Sequence, residues 1–358
     1  MLTLNSWTLL CTLSQAFAAL QPWHTATVDY SAANEYVSAH YPLLHAGGYF
    51  VTREPTGFSR EPIFNARQGI YDDASGKLAP ASLASCGFGL LSPYASERLS
   101  DWTDAAAVRS KYLPELRRVI TKAVETSPEH GTVAQLIFWH MLLREEGSTY
   151  VGPSDPSYAT VTTGPIAGMV HVDTDVNAYA GDAARLARIV LANQVTEEGD
   201  APSCDDLARM LTRKRFCILN AWTNADPDVP VLRAPLALLA GMYPTVAGKL
   251  ARFPEHPPDP QRSRWYAFPR MQEEVLCFTQ YDRKLGRPSE IWHCAVPEVV
   301  EAADAPPRRS FEVRALVVLD EELPVRLDRW RPLEHTRPTL SHSESGEFCD
   351  EQACKRKR

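Results

Sequence analysis

Gly164-Pro165-Ile166-Ala167-Gly168-Met169-Val170-His171-Val172-Asp173 reads as an extended run that carries an imidazole and a carboxylate two residues apart. On a strand, positions i and i+2 share a face, so His171 and Asp173 can bind one metal ion together. Two nitrogens and one oxygen on one side of a ferrous ion leave positions open for a co-substrate and O2, the arrangement of a non-haem iron(II) oxygenase. That reading calls for a second histidine downstream and for a strand-rich core to hold the set together.

Strands crowd the chain after this run. Residues 215–222, 265–268, 274–281 and 311–320 are rich in β-branched and aromatic side chains, and residues 136–141 read as a buried strand upstream. Residues 47–51 read as a short strand or hairpin entry. Helices are fewer. Leu116, Val119, Ile120, Ala123 and Val124 recur at spacings of three and four, with Pro114 suited to a first turn, which predicts a helix within residues 101–126. Residues 182–193 and 205–212 predict two more. Many strands with few peripheral helices predict an α+β chain with a mainly β core, an antiparallel double-sheet roll of the jelly-roll kind. No G-x-G-x-x-G, P-loop or G-x-S-x-G motif competes.

The 358 residues, 44% of them hydrophobic, can bury a substantial core. A formal charge of -7 argues against a nucleic-acid surface, and the basic residues 355–358 read as solvated tail. The cysteines stand singly, with no C-x-x-C pair. Cys217, Cys277 and Cys294 lie in apolar runs as buried thiols, which fits a reducing, cytoplasmic setting. Residues 1–20 are apolar and end in Ala16-Phe17-Ala18, a candidate targeting segment that would instead make the protein secreted or organellar. No other stretch is long enough to span a membrane. The expected organisation is that N-terminal segment, one domain over 21–330, and a disordered tail over 331–358, poor in residues to bury. Nothing in the sequence sets an oligomeric state.

His293, in Ile291-Trp292-His293-Cys294-Ala295, is the best-placed second metal histidine. Further on stand Arg308-Arg309-Ser310. A guanidinium and a hydroxyl on one strand face suit a distal carboxylate such as that of 2-oxoglutarate, with Arg314, of the same parity, as the rival anchor. Asn220, Trp222, Tyr266 and Tyr281 lie on strands near these ligands, although an aromatic in a strand is more often core.

The chain resembles the fungal and bacterial hydroxylase/desaturase family that includes the aspergillic-acid hydroxylase type, gibberellin desaturase and the cephamycin methoxylation protein. The matching blocks run collinearly over about residues 85–320. They are Phe138-Trp139-His140 with Arg144, Gly164-Pro165 leading to His171-Val172-Asp173, Arg215 to Trp222, Pro235-Leu236-Ala237-Leu238, Trp265-Tyr266, Glu274 to Asp282, and Pro307 to Leu316. Thr223 and Ala240 depart from the Arg and the acid usual in such proteins, and Cys294 replaces the usual Thr after the distal histidine.

The resemblance implies an Fe(II)- and 2-oxoglutarate-dependent oxygenase on a distorted double-stranded β-helix, hydroxylating or desaturating a small molecule of secondary metabolism with O2. It implies His171, Asp173 and His293 as metal ligands and Arg308, assisted by Ser310, as the co-substrate anchor. Two other classes compete: a zinc hydrolase using the same triad, for which no H-E-x-x-H glutamate stands beside the ligands, and a non-catalytic binding or partner protein on the same fold.

Overall fold

Strand β8 (Lys214–Asn224) shows how the chain divides its side chains. Cys217, Leu219 and Ala221 go to one face, and Phe216, Ile218, Asn220 and Trp222 go to the other. Both faces are covered, so the run is apolar almost throughout instead of alternating with polar residues. The computed structural model describes residues 21–30, 58–72, 77–91, 99–127, 130–149, 161–173, 182–195, 202–240, 243–244, 250–251, 264–284 and 291–323.

β8 is central in a six-stranded sheet ordered β5 (Phe88–Leu91), β13 (Val275–Asp282), β8, β15 (Arg309–Glu322), β6 (Val133–Glu145) and β7 (Thr162–Gly164). A second sheet of five strands runs β1 (His24–Asp29), β2 (Phe58–Asn65), β12 (Arg264–Ala267), β9 (Leu236–Ala240) and β14 (His293–Ala295). Pairing is antiparallel except β2 with β12 and β6 with β7. Two small pairs, β3 (Ile70–Asp72) with β4 (Lys77–Ala79) and β10 (Tyr243–Pro244) with β11 (Leu250–Ala251), stand apart.

The two sheets face each other through one apolar layer. Phe64, Leu238 and Tyr266 of the five-stranded sheet meet Trp222, Leu276 and Phe278 of the six-stranded one. On its outer face the six-stranded sheet packs against helix α1 (Leu113–Glu125), whose Leu116, Val119, Ile120 and Val124 join Phe138, Leu219, Val313 and Ala315. Helices α2 (Ala183–Ala192) and α3 (Cys204–Arg213) cover the far end of the inner face, where Leu186, Val190, Leu207 and Leu211 meet Trp139, Ile218 and Leu316. The described chain is thus α+β and mainly β, with helices at the periphery.

Two of the β-bulges in the six-stranded sheet bear on the site. On β6, Val313 pairs with Met141 and Arg314 with Trp139, leaving His140 unpaired with φ of 59°. On β13, Leu219 pairs with Thr279 and Ile218 with Tyr281, leaving Gln280 unpaired. A bulge puts two residues opposite one and re-aims a side chain, and both of these residues come to lie at the site described below.

The expected strand over residues 164–173 is not formed as such. β7 ends at Gly164, where Pro165 brings no N–H to continue a ladder, and the rest forms isolated bridges: Met169 with Asp29, and His171 with His293. The segment therefore bonds to β14 on one side and to the end of β1 on the other. The predictions made for residues 1–20, 47–51 and 331–358 lie outside the described residues.

Candidate metal centre

His171 and His293 exchange backbone hydrogen bonds, His171 N to His293 O at 3.0 Å and His293 N to His171 O at 3.1 Å. Their rings consequently lie side by side, centroids 4.4 Å apart. Each Nδ1 is tied to a carbonyl two residues back, His171 to Met169 O at 2.8 Å and His293 to Ile291 O at 3.0 Å. A carbonyl only accepts, so each Nδ1 carries a proton and each Nε2 is left as the nitrogen that could bind a metal. Those Nε2 atoms face Asp173, at 3.3 Å from Oδ1 for His171 and 3.4 Å from Oδ2 for His293. One ligand atom from each of the three residues lies within 4.8 Å of the others.

The six-stranded sheet supplies the other wall. Asn220 Nδ2 donates to Asp173 Oδ2 at 2.6 Å, Gln280 Oε1 accepts from Asp173 N at 3.0 Å, and Arg314 Nη2 stands 3.5 Å from Oδ1. Asn220 pairs with Arg314 across the β8–β15 ladder, with Gln280 and His140 in the bulges on either side, so four polar residues cross four adjacent strands at one level. Burial works to raise the Asp173 pKa, but the neighbouring charges of His293 and Arg314 and the histidine hydrogen bonds hold it well below the usual carboxylate range. Burial likewise works against a charged His171, yet the hydrogen bond and charge of Asp173 outweigh it and raise that imidazole. Burial, then the charge of Arg314, pushes His140 down to about 3, so this ring is neutral near pH 7.

Ser310 lies at the start of β15 and Arg308 just before it, both without contact to the triad among the described residues. Arg308, just before the strand, is 5% exposed; its Nη1 donates to Ala234 O, its guanidinium carbon sits 5.5 Å from the Trp222 ring, and its Nε has no partner. Ala234 holds φ of 47°, a left-handed conformation uncommon outside glycine. The Ser310 hydroxyl is fully buried and also without a partner among the described residues. Burial is the main cause lowering the Arg308 pKa to about 10. A buried guanidinium N–H and a buried hydroxyl left unsatisfied by the protein are what a bound carboxylate would satisfy. Trp222 is two residues from Asn220 on the same face of β8, roughly 7 Å by strand rise, a span suited to a five-carbon dicarboxylate reaching from the triad to Arg308.

A second grouping, His130, Cys217 and Asp282, has ligand spacing as well. Its carboxylate is already taken: Arg215 Nε and Nη2 donate to the two Asp282 oxygens at 3.1 and 2.5 Å. Burial and Asp282 push the Cys217 thiol well up, and a metal needs the thiolate. The triad is therefore the stronger metal candidate of the two.

Of the other residues singled out from sequence, Asn220 reaches Asp173 and Trp222 underlies Arg308, whereas Tyr266 accepts a hydrogen bond from Tyr71 N and Tyr281 packs on Phe216 in the core. Arg144 pairs with Glu312 at 3.2 Å and donates to Pro165 O. Gln280 escaped the sequence reading, because strand parity beside Tyr281 gives no sign of the bulge that turns it toward Asp173.

A family model described as "Oxidoreductase/YMDC permease-like domain" matches residues 41–318. Among solved structures, the chain is similar to an iron and alpha-ketoglutarate-dependent endoperoxidase, NvfI, at 19% identity and a TM-score of 0.47, covering 83% of this chain and 98% of that one. A tryptophan-to-phenylalanine variant of the same enzyme matches at 19% identity and a TM-score of 0.49, with the same coverage. No curated protein matches the chain. Among the described residues, no helix is long and apolar enough to cross a membrane.

Proposed function

We propose, from the premise that the chain belongs to the oxidoreductase/YMDC permease-like domain family, that it is an iron(II)- and 2-oxoglutarate-dependent oxygenase acting on a small molecule. The observation that carries this reading is the convergence of His171, Asp173 and His293, with both Nδ1 protons tied back and both Nε2 atoms facing the carboxylate. Three ligands on one side, one of them a carboxylate, suit a ferrous ion that keeps sites open. In this reading the two facing sheets are a distorted double-stranded β-helix, and residues 21–330 are one oxygenase domain.

The residues divide the work. His171, Asp173 and His293 would hold the ion, while Asn220 and Gln280 keep the carboxylate and its backbone in place, as outer hydrogen bonds do for metal ligands. Arg308, over the Trp222 ring, would take the distal carboxylate of 2-oxoglutarate with Ser310 beside it. Iron(II) with 2-oxoglutarate and O2 supplies the oxidising power to break a C–H bond. The sheets exclude water and set which C–H faces the ion, and that placement decides between hydroxylation and desaturation.

The test is co-substrate turnover. Purified protein given iron(II), 2-oxoglutarate and air should form succinate slowly even without its substrate, and His293→Ala should form none while remaining folded. Equal succinate from wild type and His293→Ala would refute the assignment.

A further inference from the structure

His140 and Arg314 share a corner of the site that the ligand and co-substrate roles leave unused. The bulge on β6 puts His140 at φ of 59°, a left-handed backbone state uncommon outside glycine. The charges acting on its ring are those of Arg314, Asp173 and Arg144, all belonging to the site. That ring makes no hydrogen bond among the described residues.

Arg314 is similarly underused. Its one polar contact among the described residues is to Asp173 at 3.5 Å, longer than a hydrogen bond, and Asn220 already holds that carboxylate at 2.6 Å. The Arg314 side chain keeps 18% exposure where Asp173 has 4%, so it is the more accessible of the two.

Charge then narrows the ligand. A divalent ion and Asp173 together leave one positive charge; a bound dicarboxylate would cancel that charge and the one on Arg308. Arg144 is matched by Glu312. Arg314 is the cation left over in a partly desolvated site, where an unmatched charge is costly.

We infer that His140 and Arg314 form the substrate-recognition pair and that the substrate is a small molecule bearing a carboxylate, bound bidentately by the Arg314 fork and by a hydrogen bond from His140. This rests on the oxygenase reading above. Arg314 makes the charged contact, and the neutral imidazole adds direction without a second charge.

The experiment is ligand-observed NMR on the full chain loaded with zinc(II), a diamagnetic stand-in for iron, and 2-oxoglutarate. The probes are a panel of aromatic and alicyclic monocarboxylic acids, each beside its primary amide. The expected result is that acids bind at least tenfold more tightly than their amides. Arg314→Gln should abolish that preference while 2-oxoglutarate still binds. His140→Asn, which tolerates the left-handed backbone, should weaken the acids severalfold. If Arg314→Gln does not fold, Arg314→Lys serves, keeping the charge but losing the fork and most of the preference. Acids and amides binding alike, no acid binding at all, or an acid preference surviving at Arg314→Gln would each overturn the proposal and leave the oxygenase reading intact. Loss of 2-oxoglutarate from Arg314→Gln would overturn it too, by making Arg314 the co-substrate anchor. Failure of 2-oxoglutarate to bind the wild type would instead remove the oxygenase reading on which the proposal rests.

Discussion

Asn220 Nδ2 lies 2.6 Å from Asp173 Oδ2, so the six-stranded sheet holds the carboxylate whose two histidine neighbours belong to the other sheet and its edge. The centre is assembled by the apposition of the sheets, and neither sheet contains it alone. Asn220→Ala should leave the fold intact and weaken iron(II) binding about 10- to 100-fold, the usual effect of removing a partner behind a metal ligand. A competitive chelator titration reads this directly, and unchanged affinity would reduce Asn220 to a structural amide.

Ser310 should behave differently with and without 2-oxoglutarate. Its buried hydroxyl has no partner among the described residues, so Ser310→Ala should change unfolding stability by less than about 1 kcal/mol. A hydrogen bond to a charged group is worth about 1.5–3 kcal/mol, so the same variant should bind 2-oxoglutarate about tenfold more weakly or worse. Calorimetric titration beside a urea melt separates the two effects.

Arg215 and Asp282 are a structural pair. Both side chains are 2% exposed and doubly hydrogen-bonded across β8 and β13. Asp282→Asn should cost less than the roughly 3–5 kcal/mol of a fully stranded buried charge, because Glu321 Oε2 still lies 3.2 Å from Arg215 Nη1, and Arg215→Met with Asp282→Leu should recover much of that loss. Urea unfolding of the singles and the double would show it, and additive losses would contradict it.

Acid should destabilise the metal-free protein partly through His140. Its folded pKa is depressed to about 3 from the ordinary value of 6.5, so its contribution is present above the unfolded value. As pH falls from about 6.5 toward 3 the unfolded chain takes up a proton that the folded chain refuses, and stability drops by at most about 1.4 kcal/mol per pH unit. His140→Asn should flatten this slope when urea melts are compared across that window; identical slopes would place the ring in water.

Much of the strand layout was legible. Residues 136–141, 215–222 and 311–319 are largely apolar and largely buried, and their β-branched and aromatic content shows it. The helices α1 to α3 were legible from their period. What was hidden depends on pairing across distance. Pro165 breaks the expected strand, and His171 finds its place by bonding to His293. Gln280 reaches Asp173 through a bulge that local sequence does not announce. His171 and Asp173 could be proposed together because they are two residues apart; Asn220 could not be tied to them, since only the facing of the sheets makes that contact.

The central claim, that His171, Asp173 and His293 hold iron and Arg308 holds 2-oxoglutarate, is most directly tested by an anaerobic optical titration. Apoprotein given iron(II) and then 2-oxoglutarate should develop the weak visible metal-to-ligand charge-transfer band. The band should be absent in Asp173→Ala and should need far more 2-oxoglutarate in Arg308→Gln. A folded wild type that binds iron yet shows no band, or a band untouched by either substitution, would contradict the account.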